Sequence, residues 1–138
     1  MRRHVNERNN MIINLTPHPL YIFPADTPDN VDAGSVTPWR ILEPSPDHRP
    51  ARLGQQVIDV AAPVDGIPTD LVAFGSGTTD VTELPPPLDN TWYVVALVVG
   101  VAAHHRGDLL ALHEYVRDLE GRIIGARKLA RPHHGRPA

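Results

Sequence analysis

The sequence predicts a mainly β fold, α+β at most: a small twisted antiparallel sheet or a partly closed barrel with one or two short helices. Proline fills 15 of the 138 positions, about twice its usual share of ~5%, and it interrupts helices. The apolar segments are short, and turn residues separate them. Aromatic residues make up only 5% of the chain, so Val, Leu, Ile and Ala must build most of the core.

The front part of the chain predicts short strands joined by stiff loops. Residues 12–15 and 20–23 are predicted strands, and a Thr-Pro-His-Pro sequence between them forces an extended kink. Apolar residues also recur over 52–60 and 67–74. The Asp-Gly pair between these two runs predicts a β-hairpin.

The last third of the chain is free of proline up to its tail and predicts the centre of the sheet. Residues 91–99 are the most apolar and predict a buried strand, and 100–105 predict a helical turn. Residues 113–117 and 122–129 flank a turn that ends in Gly121, a residue suited to the left-handed position of a hairpin turn.

The length predicts a single domain, because 138 residues leave no room for a second full core. We expect one β-rich domain over residues 11–130. Residues 1–10 have no hydrophobic period and predict a disordered arm. Residues 131–138 are rich in His, Arg and Pro and predict a disordered tail.

Missing residues and the charge balance exclude several classes of protein. The chain has no cysteine, which excludes disulfides, thiolate zinc sites and a cysteine nucleophile. Its net charge of −3 gives no strong nucleic-acid signal. The longest apolar run, 94–103, is too short to cross a bilayer, and no secretory signal is visible, so we expect a cytoplasmic protein. No phosphate-binding or dinucleotide motif appears, and no cofactor is expected.

Two groups of motifs carry a resemblance. One is Asn14-Leu15-Thr16-Pro17-His18; the other comprises Trp92-Tyr93-Val94, Val116-Arg117-Asp118, Gly121 and Ile123-Ile124-Gly125. Together they make the chain resemble a group of small uncharacterised proteins from actinobacteria and their phages. The likeness covers both ends of residues 11–130. It implies a phage-related or defence-related accessory role and no established activity.

Four residues form the predicted ligand-binding set. His18 lies between two prolines that fix the backbone, and it could act as an acid or base or bind a phosphate; a histidine packed under a loop is the structural alternative. Arg106 and Asp108, one glycine apart, could grip an anion and orient it, or could form an ion pair across a tight turn. Arg127 completes the set.

Histidine pairs do not predict a metal site. His104 and His105 are adjacent, as are His133 and His134. Neighbours in a strand point to opposite faces, so one pair rarely supplies two ligands to one ion. We therefore expect no metal.

Three function classes stay open. The first is a small cytoplasmic, non-enzymatic binding module whose pocket near His18, Arg106 and Asp108 takes an anionic small ligand or a partner protein. The second is a hydrolase or lyase acting on a nucleotide-like substrate, with His18 as general acid/base. The third is a structural or assembly protein whose exposed strand edge pairs with itself, giving a homo-oligomer, or with a phage component. The binding module is favoured, because no catalytic set surrounds these residues.

Overall fold

A computed structural model describes residues 10–75 and 80–133 of the chain. In this part of the chain, ten strands and one short helix follow one another. In order they are β1 (Met11–Asn14), β2 (Leu20–Ile22), β3 (Arg40–Leu42), β4 (Arg52–Leu53), β5 (Gln55–Val64), β6 (Ile67–Phe74), β7 (Val81–Thr82), β8 (Thr91–Val94), α1 (Leu97–Ala102), β9 (Leu109–Arg117) and β10 (Ile123–Ala130).

Six strands form one sheet that curls into a nearly closed barrel. Its strand order is β1-β8-β9-β10-β2-β3, while β4 pairs with β7 and β5 pairs with β6. The two edges of the large sheet approach each other where Asn14 forms a bridge with Pro44. There the Ser45 N–H donates to the Asn14 carbonyl at 2.9 Å. The predicted mainly β class and partly closed barrel are confirmed.

The pairing within this sheet is mixed rather than antiparallel throughout. β9–β10 and β2–β3 are antiparallel, as expected. β1–β8, β8–β9 and β2–β10 are parallel. Parallel neighbours need a crossover connection, and α1 with its flanking turns supplies one between β8 and β9. Adjacent apolar runs could not reveal this pairing, because β1 and β8 are separated by most of the chain.

Aliphatic side chains and one tyrosine fill the barrel. Tyr93, Leu15, Leu109 and Val94 are fully buried. Leu15 follows β1, Tyr93 and Val94 come from β8, and Leu109 opens β9, so the three parallel strands supply the centre of the core. This agrees with the sequence-based expectation of an aliphatic core.

The predicted strand over 91–99 ends early. Pairing stops at Val94, and the chain turns into α1 two residues later, where the Ala96 carbonyl accepts from the N–H groups of Val99 and Gly100. α1 is only six residues long. Within the described residues no helix has the length and hydropathy needed to span a membrane.

Both predicted hairpin turns are present. Asp65 and Gly66 have φ values of 50° and 79°, the two positive values that a type I′ turn requires. They join β5 to β6, which pair antiparallel. Gly121 has a φ of 87° in the turn that joins β9 to β10.

The predicted terminal segments fall mostly outside the described residues. This applies to nearly all of the N-terminal segment 1–10 and to residues 134–138 of the tail. Arg131 to His133 are described, and the Arg131 guanidinium lies 5.1 Å from the centre of the Trp92 ring. The single domain over 11–130 stays a prediction.

Candidate functional site

The Asn-Leu-Thr-Pro-His motif closes the barrel through its asparagine. The Asn14 amide donates to the His18 carbonyl at 2.9 Å and to the Leu42 carbonyl at 2.8 Å. Its oxygen accepts from the N–H and the hydroxyl of Thr16 at 2.8 and 2.7 Å. Asn14 is buried, whereas the His18 side chain is exposed. His18 therefore contributes its backbone to this turn.

Arg106 and Asp108 form a bidentate ion pair. Arg106 Nε and Nη2 lie 2.9 and 2.8 Å from the two carboxylate oxygens of Asp108. Nη2 also donates to the Pro85 carbonyl at 2.9 Å. The pair lies against buried Tyr93: burial, and secondarily the charge of Asp108, raises the pKa of that hydroxyl. Arg106 thus fastens the proline-rich segment to the start of β9.

Arg127 holds the long β2–β3 loop against the sheet. Its Nη1 donates to the Thr27 carbonyl at 2.7 Å, and its Nη2 lies 2.7 Å from Asp29. Its Nε lies 3.4 Å from Glu114. The hydrogen bond to Asp29 raises the pKa of the Arg127 guanidinium further above its ordinary value. Its largely buried side chain is held by these groups on three sides.

The structure does not gather the four predicted residues into one pocket. His18 follows the C-terminal end of β1, whereas Arg106 and Asp108 precede the N-terminal end of β9. β1, β8 and β9 run parallel, so these groups lie towards opposite ends of these strands. Arg127 lies beside Glu114, six residues along β9 from Asp108, or about 20 Å. Within the described residues, no hydrogen bond or ion pair joins His18 to Arg106 or Asp108.

Asp118, which belongs to the motifs that carry the resemblance but not to the predicted ligand-binding set, is a structural carboxylate. It is buried and caps the β9–β10 turn. Its Oδ1 accepts from the N–H groups of Glu120 and Arg122, each at 2.9 Å, and its Oδ2 lies 2.8 Å from Arg122 Nε. These bonds, the Arg122 backbone bond first, lower the pKa of Asp118.

An apolar groove lies between α1 and the base of the β5–β6 hairpin. It has a volume of about 1050 Å³. Half-exposed Leu97, Val98 and Val101 line one wall, and exposed Phe74 lines the other. Arg52 stands at this groove without a carboxylate among the described residues that line it.

The β5–β6 hairpin, called the arm below, exposes large apolar side chains along its whole length. Within residues 10–75 and 80–133, no other strand pairs with either edge of the arm. None of its 18 strand residues is buried. Seven large apolar side chains are 53–76% exposed. They are Val57, Ile58, Val60, Val64, Ile67, Leu71 and Phe74.

A smaller pocket beside Arg106 is lined by several basic side chains. It has a volume of about 360 Å³ and is lined by Arg106, Arg131, His104 and His133, among others. Among the residues that the structure describes, no group of three or more His, Asp or Glu side chains could hold a metal ion.

The sequence analysis predicts the β5–β6 hairpin but not that it stands exposed, apart from the large sheet. A signal was available: apolar residues occupy consecutive positions, as in Val57-Ile58 and Val60-Ala61-Ala62, and so reach both faces of the ribbon. A strand that packs one face on a core alternates instead.

Comparison with protein-family models, curated proteins and solved structures found no significant match to this chain.

Proposed function

We propose that this chain is an assembly protein that associates with further copies of itself through the arm and the apolar groove. The observation that carries the proposal is the arm, an 18-residue ribbon in which no described strand residue is buried. An isolated two-stranded hairpin is marginally stable in water. Cover from another chain would supply the burial that the arm lacks within its own.

The exposed apolar area is large enough for a specific interface. The seven side chains of the arm, with Leu97, Val98 and Val101 of α1, are each at least half exposed. At about 32 Å² per methylene equivalent, they expose roughly 700 Å². A standard interface buries about 800 Å² per partner, of which roughly 60% is apolar. The arm and α1 together therefore expose more apolar area, spread over both faces of the arm, than the apolar share of one standard interface.

The faces of the arm, rather than its edges, are suited to this contact. Pro63 and Pro68 lack an N–H to donate to a neighbouring strand. Register shifts between Val57 and Asp59 and between Ala61 and Val64 also interrupt the ribbon. Prolines and bulges of this kind protect strand edges against pairing. The proposal thus modifies the edge pairing expected from the sequence: burial of apolar faces drives association.

The test compares two matched substitutions. Ile58→Asp puts a charge on the arm, and Leu119→Asp puts the same charge on an equally exposed leucine in the β9–β10 turn. We expect the wild type and Leu119→Asp to be oligomeric by sedimentation velocity and Ile58→Asp to be monomeric. A wild type that is monomeric at all concentrations, or equal masses for both variants, would contradict the proposal.

A second candidate function is binding of a small anion in the pocket that contains Arg131 and His133. The basic residues that line this pocket favour it. Arg106 contributes little there, because its fork is bonded to Asp108. Calorimetric titration with inorganic pyrophosphate tests this function: binding in the wild type that Arg131→Ala abolishes supports it, and no heat in either protein contradicts it.

The hydrolase or lyase alternative has the least support. It needs His18 and Arg106 on one substrate, and the two lie towards opposite ends of the parallel strands β1 and β9. The resemblance to small actinobacterial and phage proteins is compatible with a cytoplasmic assembly role and adds no chemistry to it.

A further inference from the structure

We propose that the tip of the arm of one copy occupies the apolar groove of a second copy. The tip is the segment Val64-Asp65-Gly66-Ile67, and the groove is the one bordered by α1 and Arg52. This inference rests on the proposed self-association and names its contact.

The groove is large and open enough to take side chains from a protein segment. Its volume of about 1050 Å³ reaches the upper end of the ~300–1000 Å³ range of small-molecule pockets. Such pockets combine apolar walls with a few convergent polar groups. Here Leu97, Val98 and Val101 present an open apolar wall, which matches an apolar side chain delivered from outside.

The tip carries side chains of the matching kind. Val64 and Ile67 are 63% and 64% exposed on either side of the turn. The type I′ geometry of Asp65-Gly66 fixes their separation, so little conformational entropy is lost when they are buried. Two apolar side chains on a preorganised turn form a compact anchor.

The charges of the two surfaces are complementary. The arm carries Asp59, Asp65 and Asp70 and has no Lys, Arg or His between 55 and 74. The groove presents Arg52 without an opposing carboxylate among its described lining residues. An acidic tip is therefore attracted to the Arg52 side of the groove, away from Asp80 in the adjoining pocket, and complementary charge also fixes the orientation of docking.

The length of the arm excludes its own groove as the binding site. Gln55, Phe74 and Gly75, at the base of the arm, line the groove. β5 is ten residues long, which places the tip about 30 Å from its base. A tip held that far from its own groove can fill only the groove of another copy.

Two copies that exchange tips would form a closed two-fold pair, in which each tip fills the groove of the other.

Cysteine cross-linking tests the contact directly, because the chain has no cysteine of its own. Ile67→Cys protein is mixed with Val98→Cys or Val101→Cys protein under mild copper-catalysed oxidation by oxygen. A disulfide requires Cα atoms within about 7 Å. We expect a mixed disulfide dimer with at least one groove variant and none when Leu119→Cys replaces Ile67→Cys.

A charge reversal provides the second readout. Arg52→Glu should weaken association about fivefold, because the rim would repel the acidic tip. Arg40→Glu, at an exposed position of β3, serves as the control and should change association less than twofold.

The outcomes separate the two proposals. An oligomeric sample that gives no cross-link at either groove position, together with unchanged association of Arg52→Glu, overturns the tip-in-groove contact and leaves self-association standing. A sample that has the mass of one chain at every concentration overturns both.

Discussion

The barrel and the arm are rich in the same aliphatic residue types, but the barrel buries these side chains and the arm exposes them. In the barrel, Leu109, Val94 and Val116 are at most 1% exposed, whereas in the arm Ile58 and Val60 are at least 65% exposed. The barrel completes its burial within one chain. The arm does not: its sequence is as apolar as that of a buried strand, but none of its strand residues is buried. The difference teaches that the barrel buries its aliphatic residues within the chain, whereas the arm leaves them exposed, which is why we propose that the arm is half of an interface.

The largest expected contrast comes from truncating one aliphatic side chain in each region. Leu109→Ala removes a buried side chain and should lower the free energy of unfolding by about 2–5 kcal/mol. Ile58→Ala, measured in dilute monomeric protein, should change it by less than about 0.5 kcal/mol. Urea denaturation followed by tryptophan fluorescence measures both. Equal losses would mean that the arm belongs to the core of the barrel.

Closure of the barrel at Asn14 gives the next largest effect. Asn14→Ala leaves the Leu42 carbonyl without its donor and removes the bonds to Thr16, so stability should fall by about 3 kcal/mol. His18→Ala is the matched control and should be nearly neutral, because the bonds to residue 18 use its backbone carbonyl. Thermal unfolding of both variants gives the comparison. Equal destabilisation would show that the imidazole supports the turn.

Removal of the arm separates stability from association. When a short Gly-Ser turn replaces residues 57–72, the barrel should keep its stability within about 1 kcal/mol in dilute solution. The same protein should be monomeric at concentrations at which the full chain associates. Sedimentation and denaturation of one preparation test both expectations. Unfolding of the shortened chain would contradict the division of the molecule into two regions.

The smallest effect concerns the pH dependence of the barrel. The pKa of Asp118 is lowered in the folded state by the Arg122 and Glu120 N–H groups and the Arg122 side chain. Its stabilising contribution is therefore fully present above the unfolded pKa of about 3.9 and is lost as the pH falls through the folded value. Asp118→Asn should flatten the stability profile below about pH 4. A profile identical to that of the wild type would assign the acid sensitivity to other groups.

Local signals in the sequence predicted local structure well. The Asp65-Gly66 pair and Gly121 predicted the two hairpins because φ > 0 is a property of a few residue types. The parallel pairing of β1 with β8 could not be predicted, since it depends on segments almost 80 residues apart. Arg106, Asp108 and Arg127 looked like free binding groups because a sequence does not display their partners: Pro85, Thr27 and Asp29.

The solution mass of the wild-type chain is the most direct test of the central claim that a second copy covers the arm. Sedimentation velocity would follow it from dilute solution to about 100 µM, a concentration at which even weak specific contacts are populated. The account predicts a reversible rise from the single-chain mass of 15.2 kDa to at least twice that value. A constant single-chain mass over the whole range would contradict it.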